Sequence, residues 1–287
     1  MKRIVTIQDI SCFGKCSLTE ALPILSAMGL ETAVIPTAVL STHTGGFQNY
    51  TFRDLTDDIP DILAHWQSLQ LQFDAIYTGY LGSVRQIQLM LDCIEKFRGP
   101  ETKVIIDPVM GDNGVKYAGF PNAFEDEMAK LCKQADIIVP NLTEASMLLH
   151  RPYPKDYTET QIWETLKQLT ETLGCPVAVL TGVQFDPAHH GAVAYDSRTG
   201  SKYSAFREHI DDPYVHGTGD IFASVLAGAV TKGASLQEAL ELAVNFTTDC
   251  IAATQPERKK YWYGVHFEQC LGELTSWHPS DQKGGVV

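Results

Sequence analysis

The stretch Val104-Ile105-Ile106-Asp107-Pro108 places a short apolar run directly before a carboxylate. Three other runs of this kind, short and nearly continuous in apolar residues, lie at 75–78, 137–139 and 177–180. Runs of this length without polar alternation are typical of strands that are buried on both faces of a sheet. The sequence therefore predicts a sheet with a covering layer on each side.

Helix-length amphipathic stretches separate these runs, and two further β-branched runs, at 2–7 and 32–39, extend the set of strands. Strands that alternate with helices in this way form a mostly parallel sheet with helices on both faces. We therefore predict an α/β fold, a three-layer α/β/α sandwich around a central, mostly parallel sheet. The predicted helices lie at 18–28, 55–69, 87–97, 123–132, 162–173, 221–231 and 236–253.

One part of the chain departs from this alternation. Two short runs, at 191–195 and 201–206, flank a turn at 196–200. This pattern predicts an antiparallel hairpin at an edge of the sheet. The pair His189-His190 is interpreted as a polar turn in front of the hairpin.

The chain shows no internal boundary. No linker, repeat or low-complexity segment divides it, so we predict a single domain over residues 1–277. Residues 278–287 are polar and rich in glycine, and we predict a disordered tail there.

The composition is that of an acidic globular protein. Of 287 residues, 44% are hydrophobic and 20% are charged, and the net charge is −13. Because this balance repels phosphate backbones and anionic lipid, we expect neither a nucleic-acid nor a membrane partner. The seven cysteines are scattered without a Cys-x-x-Cys pair, and no apolar run approaches transmembrane length. We therefore expect reduced thiols and a cytoplasmic location.

Polar or glycine-rich clusters follow most of the predicted strands. In open α/β sheets, ligands bind beyond the carboxyl ends of the strands. Because these ends meet at one edge of a parallel sheet, we expect the clusters to form one site. They lie at 9–11, 41–44, 79–82, 107–112, 141–144 and 181–182.

The segment His216-Gly217-Thr218-Gly219-Asp220 precedes a helix of small and apolar residues. Two glycines allow a tight turn that exposes backbone N–H groups, and the helix N-terminus attracts anions. An aspartate at this point could accept a proton from an attacking hydroxyl during phosphoryl transfer. The alternative is that Asp220 only occupies the first turn of a helix, where acidic residues are common.

Two other carboxylates follow buried strands. Asp107 ends one strand, and Asn141 and Glu144 follow another. Hard oxygen ligands beside phosphates suit Mg²⁺, which takes one or two carboxylates and keeps several waters. The alternative is local, because Asp107 could cap a turn and Asn141 or Thr143 the next helix. Together with Asp220, the pattern favours a phosphoryl-transfer site.

These motifs, in this order, resemble those of the ribokinase-like superfamily and, within it, of the vitamin kinases. They are Gly-Thr-Gly-Asp at 217–220, Asp-Pro-Val-Met-Gly-Asp at 107–112 and Asn-x-x-Glu at 141–144. Gly-Tyr-Leu-Gly-Ser at 79–83 and His-Thr at 43–44 further resemble pyridoxal kinases. The similarity extends to about residue 255.

The resemblance implies ATP-dependent phosphorylation of the 5′-hydroxymethyl group of pyridoxal, pyridoxine or pyridoxamine. It implies that Asp220 is the catalytic base. It also implies that the backbone of Gly217, Thr218 and Gly219 forms the anion hole for the transferred group.

The same resemblance implies a nucleotide side of the site. It assigns Asp107 and Glu144 to Mg²⁺ and the phosphates, partly through water, and Thr181 to the nucleotide phosphates. Asn141 and Gly182 are expected to lie beside them. A monovalent cation such as K⁺ and a homodimer are usual in such a family, so both are expected here.

On the vitamer side, the resemblance implies that Thr44 contacts the ring substituents, that Tyr80 lines the pocket and that His43 shapes it. One residue departs from the pattern, because many pyridoxal kinases have serine where this chain has Asp9. Hydroxymethylpyrimidine kinases carry an aspartate there, but they often have cysteine at the position of Asp220. A hydroxymethylpyrimidine kinase therefore stays an alternative, as does a non-catalytic vitamin-binding protein on the same scaffold.

Overall fold

A computed structural model describes residues 1–121, 123–211 and 216–280. Its strands and helices alternate over most of the chain, as the apolar runs predict. The strands are β1 (Arg3–Ser11), β2 (Glu31–Leu40), β3 (Phe52–Asp54), β4 (Ala75–Thr78), β5 (Lys103–Ile106), β6 (Gly111–Asp112), β7 (Val115–Lys116), β8 (Ile137–Ile138), β9 (Val177–Asp186), β10 (His189–Asp196) and β11 (Ser201–Glu208). The helices are α1 (Leu18–Ala27), α2 (Ile59–Ser68), α3 (Val84–Phe97), α4 (Phe124–Cys132), α5 (Leu142–Leu148), α6 (Glu159–Leu173), α7 (Thr218–Thr231), α8 (Leu236–Thr254) and α9 (Phe267–Ser276).

Within the described residues, nine strands form one sheet in the order β11-β10-β9-β8-β5-β4-β1-β2-β3. The six strands from β9 to β2 in this order run parallel to one another. At one edge, β10 and β11 are antiparallel, and at the other edge β3 is antiparallel to β2. Strands β6 and β7 form a separate small hairpin.

Two layers of helices cover the sheet, as predicted. Alternate residues of β1 show this, because Ile4 packs with α1, α7, α8 and α9 on one face. Its neighbour Val5 packs with α2 to α6 on the other face. Burial of both faces explains why the central strands contain few polar residues. The predicted three-layer α/β/α sandwich is confirmed.

The edge hairpin is confirmed but longer than predicted. Strand β9 continues to Asp186, so it pairs with β8 on one side and with β10 on the other. The interpretation of His189-His190 as a turn was wrong, because both residues begin β10. His189 is exposed and its Nδ1 lies 3.0 Å from an oxygen of Asp186, which holds the tight turn between the strands.

The helix predicted over 55–69 begins four residues later, at Ile59. The backbone N–H of Thr56 donates a hydrogen bond of 2.7 Å to the carboxylate of Asp54, which stabilises a turn instead. Pro60 then lies in the first helical turn. Backbone N–H groups there have no acceptor within the helix, so proline costs no hydrogen bond. Helix α9 and strand β3 were absent from the prediction.

The predicted single domain over residues 1–277 stays a prediction, and so does the tail. Residues 281–287 lie outside the described residues. Within the described part of the tail, the N–H of Ser280 donates a hydrogen bond of 2.9 Å to Glu238. No described helix is both long and apolar enough to cross a membrane.

Candidate active site

The carboxyl ends of the parallel strands meet at one edge of the sheet. Ile7 of β1 pairs with Thr78 of β4, which in turn pairs with Ile106 of β5. On the far side of β5, Ile106 pairs with β8, and Asn141 forms an isolated bridge with Thr181 of β9. The polar clusters that follow these strands therefore lie side by side, as the sequence predicts.

Helix α7 points its N-terminus at this edge, and Gly217 makes the turn into it. Gly217 has a φ of 84°, in the left-handed region that favours glycine. A Cβ atom here would lie 2.4 Å from the carbonyl oxygen of Lys15 and 2.6 Å from both carboxyl oxygens of Glu20. Only glycine fits this turn. A Cβ atom on Gly219 would meet none of the described residues within 4 Å, so on their side this face of the turn has room for a ligand.

Asp220 lies in the first turn of α7 and is partly buried. The backbone N–H of Ser17 donates a hydrogen bond of 2.9 Å to its Oδ2 atom. The pKa of Asp220 is raised to about 7. Desolvation by burial is the main cause, the hydrogen bond from Ser17 opposes the rise, and the charge of Asp9 adds to it. A carboxylate with such a pKa can accept a proton near neutral pH.

Asp107 and Glu144 form a buried carboxyl pair beside Asp220. The N–H groups of Met110 and Asn141 donate to the two oxygens of Glu144, over 3.1 and 2.8 Å. Burial raises the pKa of Glu144 to about 8. Burial also raises the pKa of Asp107, and the charges of Glu144 and Asp220 raise it further. The structure thus brings the three predicted carboxyl groups together.

The chemistry of this pair fits a hard divalent cation. The carboxyl group of Asp107 is buried and its pKa is raised without an opposing hydrogen bond, so an added positive charge would stabilise it. The oxygens of Glu144 each keep a lone pair beyond their backbone bond. Among the described residues, no group of three or more His, Cys, Asp or Glu side chains could hold a metal on its own.

On the nucleotide side, Asn141 is held by the fold. Its Oδ1 accepts a hydrogen bond of 3.0 Å from the N–H of Glu144, and its Nδ2 donates one of 2.9 Å to the carbonyl of Gly111. The bond accepted by Oδ1 caps α5, so the local interpretation of Asn141 holds. Thr181 donates its N–H to the carbonyl of Pro140, and the exposed Gly182 has a φ of 68°. Roles of Asn141, Thr181 and Gly182 at a nucleotide stay predictions.

Asp9, whose charge acts on Asp220, and His43 are both buried. The Oγ of Ser11 donates a hydrogen bond of 3.1 Å to Asp9, and burial raises the pKa of Asp9. The ring of His43 accepts the N–H of Gly45 at Nδ1 and donates from Nε2 to the carbonyl of Tyr263, over 3.0 and 2.7 Å. These two bonds require the neutral ring, and burial lowers its pKa.

Tyr80 and Thr44 differ in placement. Burial raises the pKa of Tyr80 to about 12, and the charge of Asp9 adds to the shift, so Tyr80 stays a phenol at neutral pH. Thr44 lies next to His43 but is exposed. The structure therefore gathers Asp9, His43 and Tyr80 near Asp220, whereas the predicted contact of Thr44 with a substrate stays a prediction.

The comparisons with known proteins agree with this geometry. Residues 22–265 match the phosphomethylpyrimidine kinase family. The chain belongs to this family. It is 27% identical over 261 residues to the pyridoxine/pyridoxal/pyridoxamine kinase of Bordetella avium, a match that covers 88% of this chain and 85% of the relative.

Solved structures show the same fold. A protein of Bacteroides thetaiotaomicron described as a phosphomethylpyrimidine kinase, crystallised with pyridoxal, superposes with a TM-score of 0.89 and is 40% identical. The match covers 95% of each chain. The pyridoxal kinase of Lactobacillus plantarum superposes with a TM-score of 0.87 at 32% identity, over 96% of each chain. The protein is thus a kinase with the fold of pyridoxal kinases.

Two residues of the candidate site were not predicted. Ser17 precedes α1 with a φ of 54°, and its backbone N–H positions Asp220. Glu20 is fully buried below the Gly217 turn, and neither of its oxygens has a hydrogen-bond partner among the described residues. Both depend on a contact between α1 and α7, far apart in the chain. The polar residues Thr19 and Glu20 in the first turn of a mostly apolar helix were the available signal.

Proposed function

We propose that this kinase transfers the γ-phosphoryl group of ATP to the 5′-hydroxymethyl group of pyridoxal, pyridoxine or pyridoxamine. The observation that carries the proposal is Asp220, whose pKa is raised to about 7 at the N-terminus of α7. A relative with 40% identity, crystallised with pyridoxal, supports the substrate class.

In the proposed reaction, Asp220 accepts the proton of the substrate hydroxyl. Its Oδ2 is occupied by the N–H of Ser17, which leaves Oδ1 to take the proton. The substrate oxygen forms a bond to the γ-phosphorus as the bond between that phosphorus and the bridging oxygen of ADP breaks. ADP and the vitamer 5′-phosphate are the products.

The turn at Gly217 serves as the anion hole in this proposal. Free N–H groups at a helix N-terminus stabilise negative charge, and the dipole of α7 adds to the effect. Because the face of the turn at Gly219 is open, the transferred phosphoryl group can approach these groups closely.

ATP would enter with Mg²⁺ held by Asp107 and Glu144. The ion would neutralise phosphate charge and relieve the repulsion between the two carboxyl groups. The expected K⁺ ion, the homodimer and the cytoplasmic location stay predictions.

The vitamer ring is proposed to lie against Asp9, His43 and Tyr80, with Thr44 at its rim. The buried carboxylate of Asp9 would favour a protonated ring nitrogen or an amino donor. This same group supports hydroxymethylpyrimidine as a second candidate substrate, because that ring also offers an amino donor. Kinase activity itself is shown by the family, so the non-catalytic vitamin-binding alternative is set aside.

A panel assay tests the proposal. The purified enzyme is incubated with ATP, Mg²⁺ and each of the three vitamers or hydroxymethylpyrimidine, and product and ADP are quantified. We expect vitamer 5′-phosphate in equal amount to ADP. The variant Asp220→Asn should lose about 10²–10⁴-fold in rate, whereas the exposed Asp61→Asn in α2 serves as a control with unchanged rate. Phosphorylation of hydroxymethylpyrimidine alone would refute the proposed substrate.

A further inference from the structure

A row of aromatic rings runs from the Gly217 turn to the protein surface. His216 directly precedes Gly217, and its ring centroid lies 5.3 Å from that of His43. The ring of Phe47 lies 4.9 Å from His43, and that of Trp262 lies 4.7 Å from Phe47. These distances are those of ring pairs in contact. The row therefore connects the anion hole with the outside.

The outer end of this row belongs to the segment 258–266, which joins the end of α8 to α9. The carbonyl of Tyr263 accepts the 2.7 Å hydrogen bond from Nε2 of His43, so the segment is anchored to the substrate side of the site. Phe13, in the loop after β1, lies 4.8 Å from the ring of Tyr263 and 6.0 Å from that of Phe47. Three distant parts of the chain thus form one aromatic surface.

The fit between the segment 258–266 and the loop after β2 is close. Gly46 has a φ of 79°, and a Cβ atom there would lie 2.7 Å from the indole ring of Trp262. The indole therefore rests directly on the backbone of the loop that carries His43. This contact fixes Trp262 relative to the site rather than leaving it as a free surface side chain.

Large aromatic rings remain open to solvent at this point. Trp262 is 38% exposed and Phe13 is 52% exposed, although both pack against other rings. Apolar surface of this kind beside a catalytic pocket is typical of a ligand-binding wall. A flat heteroaromatic ring is the ligand that such a surface would stack against, because ring faces attract one another at these separations.

We propose that Phe47 and Trp262 form the outer wall of the substrate-ring site and determine the affinity for the vitamer ring, with the backbone of Tyr263 as their anchor. This inference rests on the proposed function and extends it. The C-terminal segment thereby becomes part of the substrate site, although it follows the catalytic helix in the chain.

Calorimetric titration of the enzyme with pyridoxal in the absence of nucleotide tests the wall directly. Trp262→Ala and Phe47→Ala are each expected to raise the Kd for pyridoxal by about tenfold, the effect of losing a stacked ring. Trp262→Phe should restore binding to within about threefold, since an aromatic face is retained. In steady-state assays the KM for ATP should stay within twofold for all three.

Trp277→Ala is the matched control. Trp277 follows α9 and packs against Lys232 at the far end of α7, about 18 Å of helix from Asp220. Its removal should leave the Kd for pyridoxal unchanged. If Trp262→Ala and Phe47→Ala bind pyridoxal as the wild type does, the inference is wrong. An equal rise in the KM for ATP and for pyridoxal would also overturn it, because that pattern indicates a general structural role.

Different results would refute the proposed phosphorylation and the proposed aromatic wall. A wild-type enzyme that binds pyridoxal but does not phosphorylate it refutes the proposed function while the titrations still test the wall. A wild-type enzyme that makes pyridoxal 5′-phosphate, with unchanged binding in the ring variants, refutes the wall alone.

Discussion

As the proposed base, Asp220 combines two requirements that oppose each other in energy. A base must be ionised to accept a proton, yet this carboxyl is partly buried and close to Asp9, both of which favour its neutral form. The N–H of Ser17 compensates only in part, through one hydrogen bond. The pKa of about 7 is the outcome, and it has consequences for both activity and stability.

The pH dependence of kcat/KM should follow the ionisation of Asp220 in the free enzyme. We expect kcat/KM for pyridoxal to rise with pH through about 7, because the protonated carboxyl cannot act as a base. The Asp220→Asn variant should show no such rise in its residual rate. A wild-type profile that is flat between pH 5.5 and about 8.5, a window set around that pKa, would contradict the assignment.

The same residue should lower the stability of the ligand-free enzyme. The pKa of Asp220 is higher in the folded than in the unfolded state, so the folded state binds this proton more tightly. The stability gained from the protonated carboxyl is fully present below pH 3.8, and it is lost as the pH rises through about 7. Asp220→Asn keeps an acceptor for Ser17 but carries no charge. We expect it to raise the free energy of unfolding at pH 8 by about 1–3 kcal/mol.

Urea unfolding of wild type and Asp220→Asn at pH 5 and pH 8 measures this effect. The difference should be larger at pH 8, where the wild-type carboxyl is ionised. A variant that is less stable than wild type at both pH values would show that the ionised carboxylate stabilises the fold instead.

At the start of α7, the backbone conformation of one glycine shapes the proposed anion hole. The positive φ of Gly217 directs the first N–H groups of the helix into the site, and the carbonyl of Lys15 and the side chain of Glu20 leave no space for a Cβ atom. The apolar run 221–231 predicts the helix, and the glycines predict a turn before it. The close approach of α1, which makes glycine obligatory, could not be predicted because it depends on tertiary packing.

Gly217→Ala should therefore disrupt the anion hole. Gly233 is the matched control, since it also has a positive φ, of 91°, but a Cβ atom there would meet none of the described residues within 4 Å. Gly233→Ala should be destabilised by about 1–2 kcal/mol from the left-handed backbone. Gly217→Ala should lose more stability than this, because its Cβ atom would also clash with Lys15 and Glu20. Only Gly217→Ala should also lose kcat, by about a hundredfold, as expected when stabilising donors are displaced. Equal kcat values for the two variants would argue against the anion hole.

Other elements show where the sequence was insufficient. Strand β3 has three exposed residues, so it lacks the apolar run that reveals a strand. Helix α9 buries only Phe267, Cys270 and Leu274. This apolar stripe is too narrow to distinguish the helix from the loops on either side of it. The turn of Pro187 and Ala188 is short, so β9 and β10 could not be separated at the right residues.

At the scale of the whole molecule, the sheet brings Asp107, Glu144 and Asp220 together from positions far apart in the chain. Their convergence could be predicted, because each follows a strand or begins a helix at the same edge of the sheet. The bond between His43 and Tyr263 could not be, since the two residues are 220 positions apart and no periodic pattern connects them. Long-range contacts between loops carry little local signal in the sequence.

The carboxyl pair should govern the response to Mg²⁺. Asp107→Asn removes one of the two negative charges proposed to hold the ion, so the Mg²⁺ concentration for half-maximal rate should rise about ten- to a hundredfold. Rates are measured at fixed ATP with Mg²⁺ varied, and the exposed Asp126→Asn in α4 is the control. An unchanged Mg²⁺ dependence in Asp107→Asn would place the ion elsewhere.

A competition between substrates tests whether the enzyme transfers the phosphoryl group to a B6 vitamer. The wild-type enzyme is supplied with ATP and Mg²⁺ together with equal concentrations of pyridoxal and hydroxymethylpyrimidine, and both phosphorylated products are quantified at early times. We expect pyridoxal 5′-phosphate to exceed the pyrimidine product by at least about tenfold, the discrimination given by roughly 1.4 kcal/mol. A larger amount of the pyrimidine product would show that a B6 vitamer is not the preferred substrate.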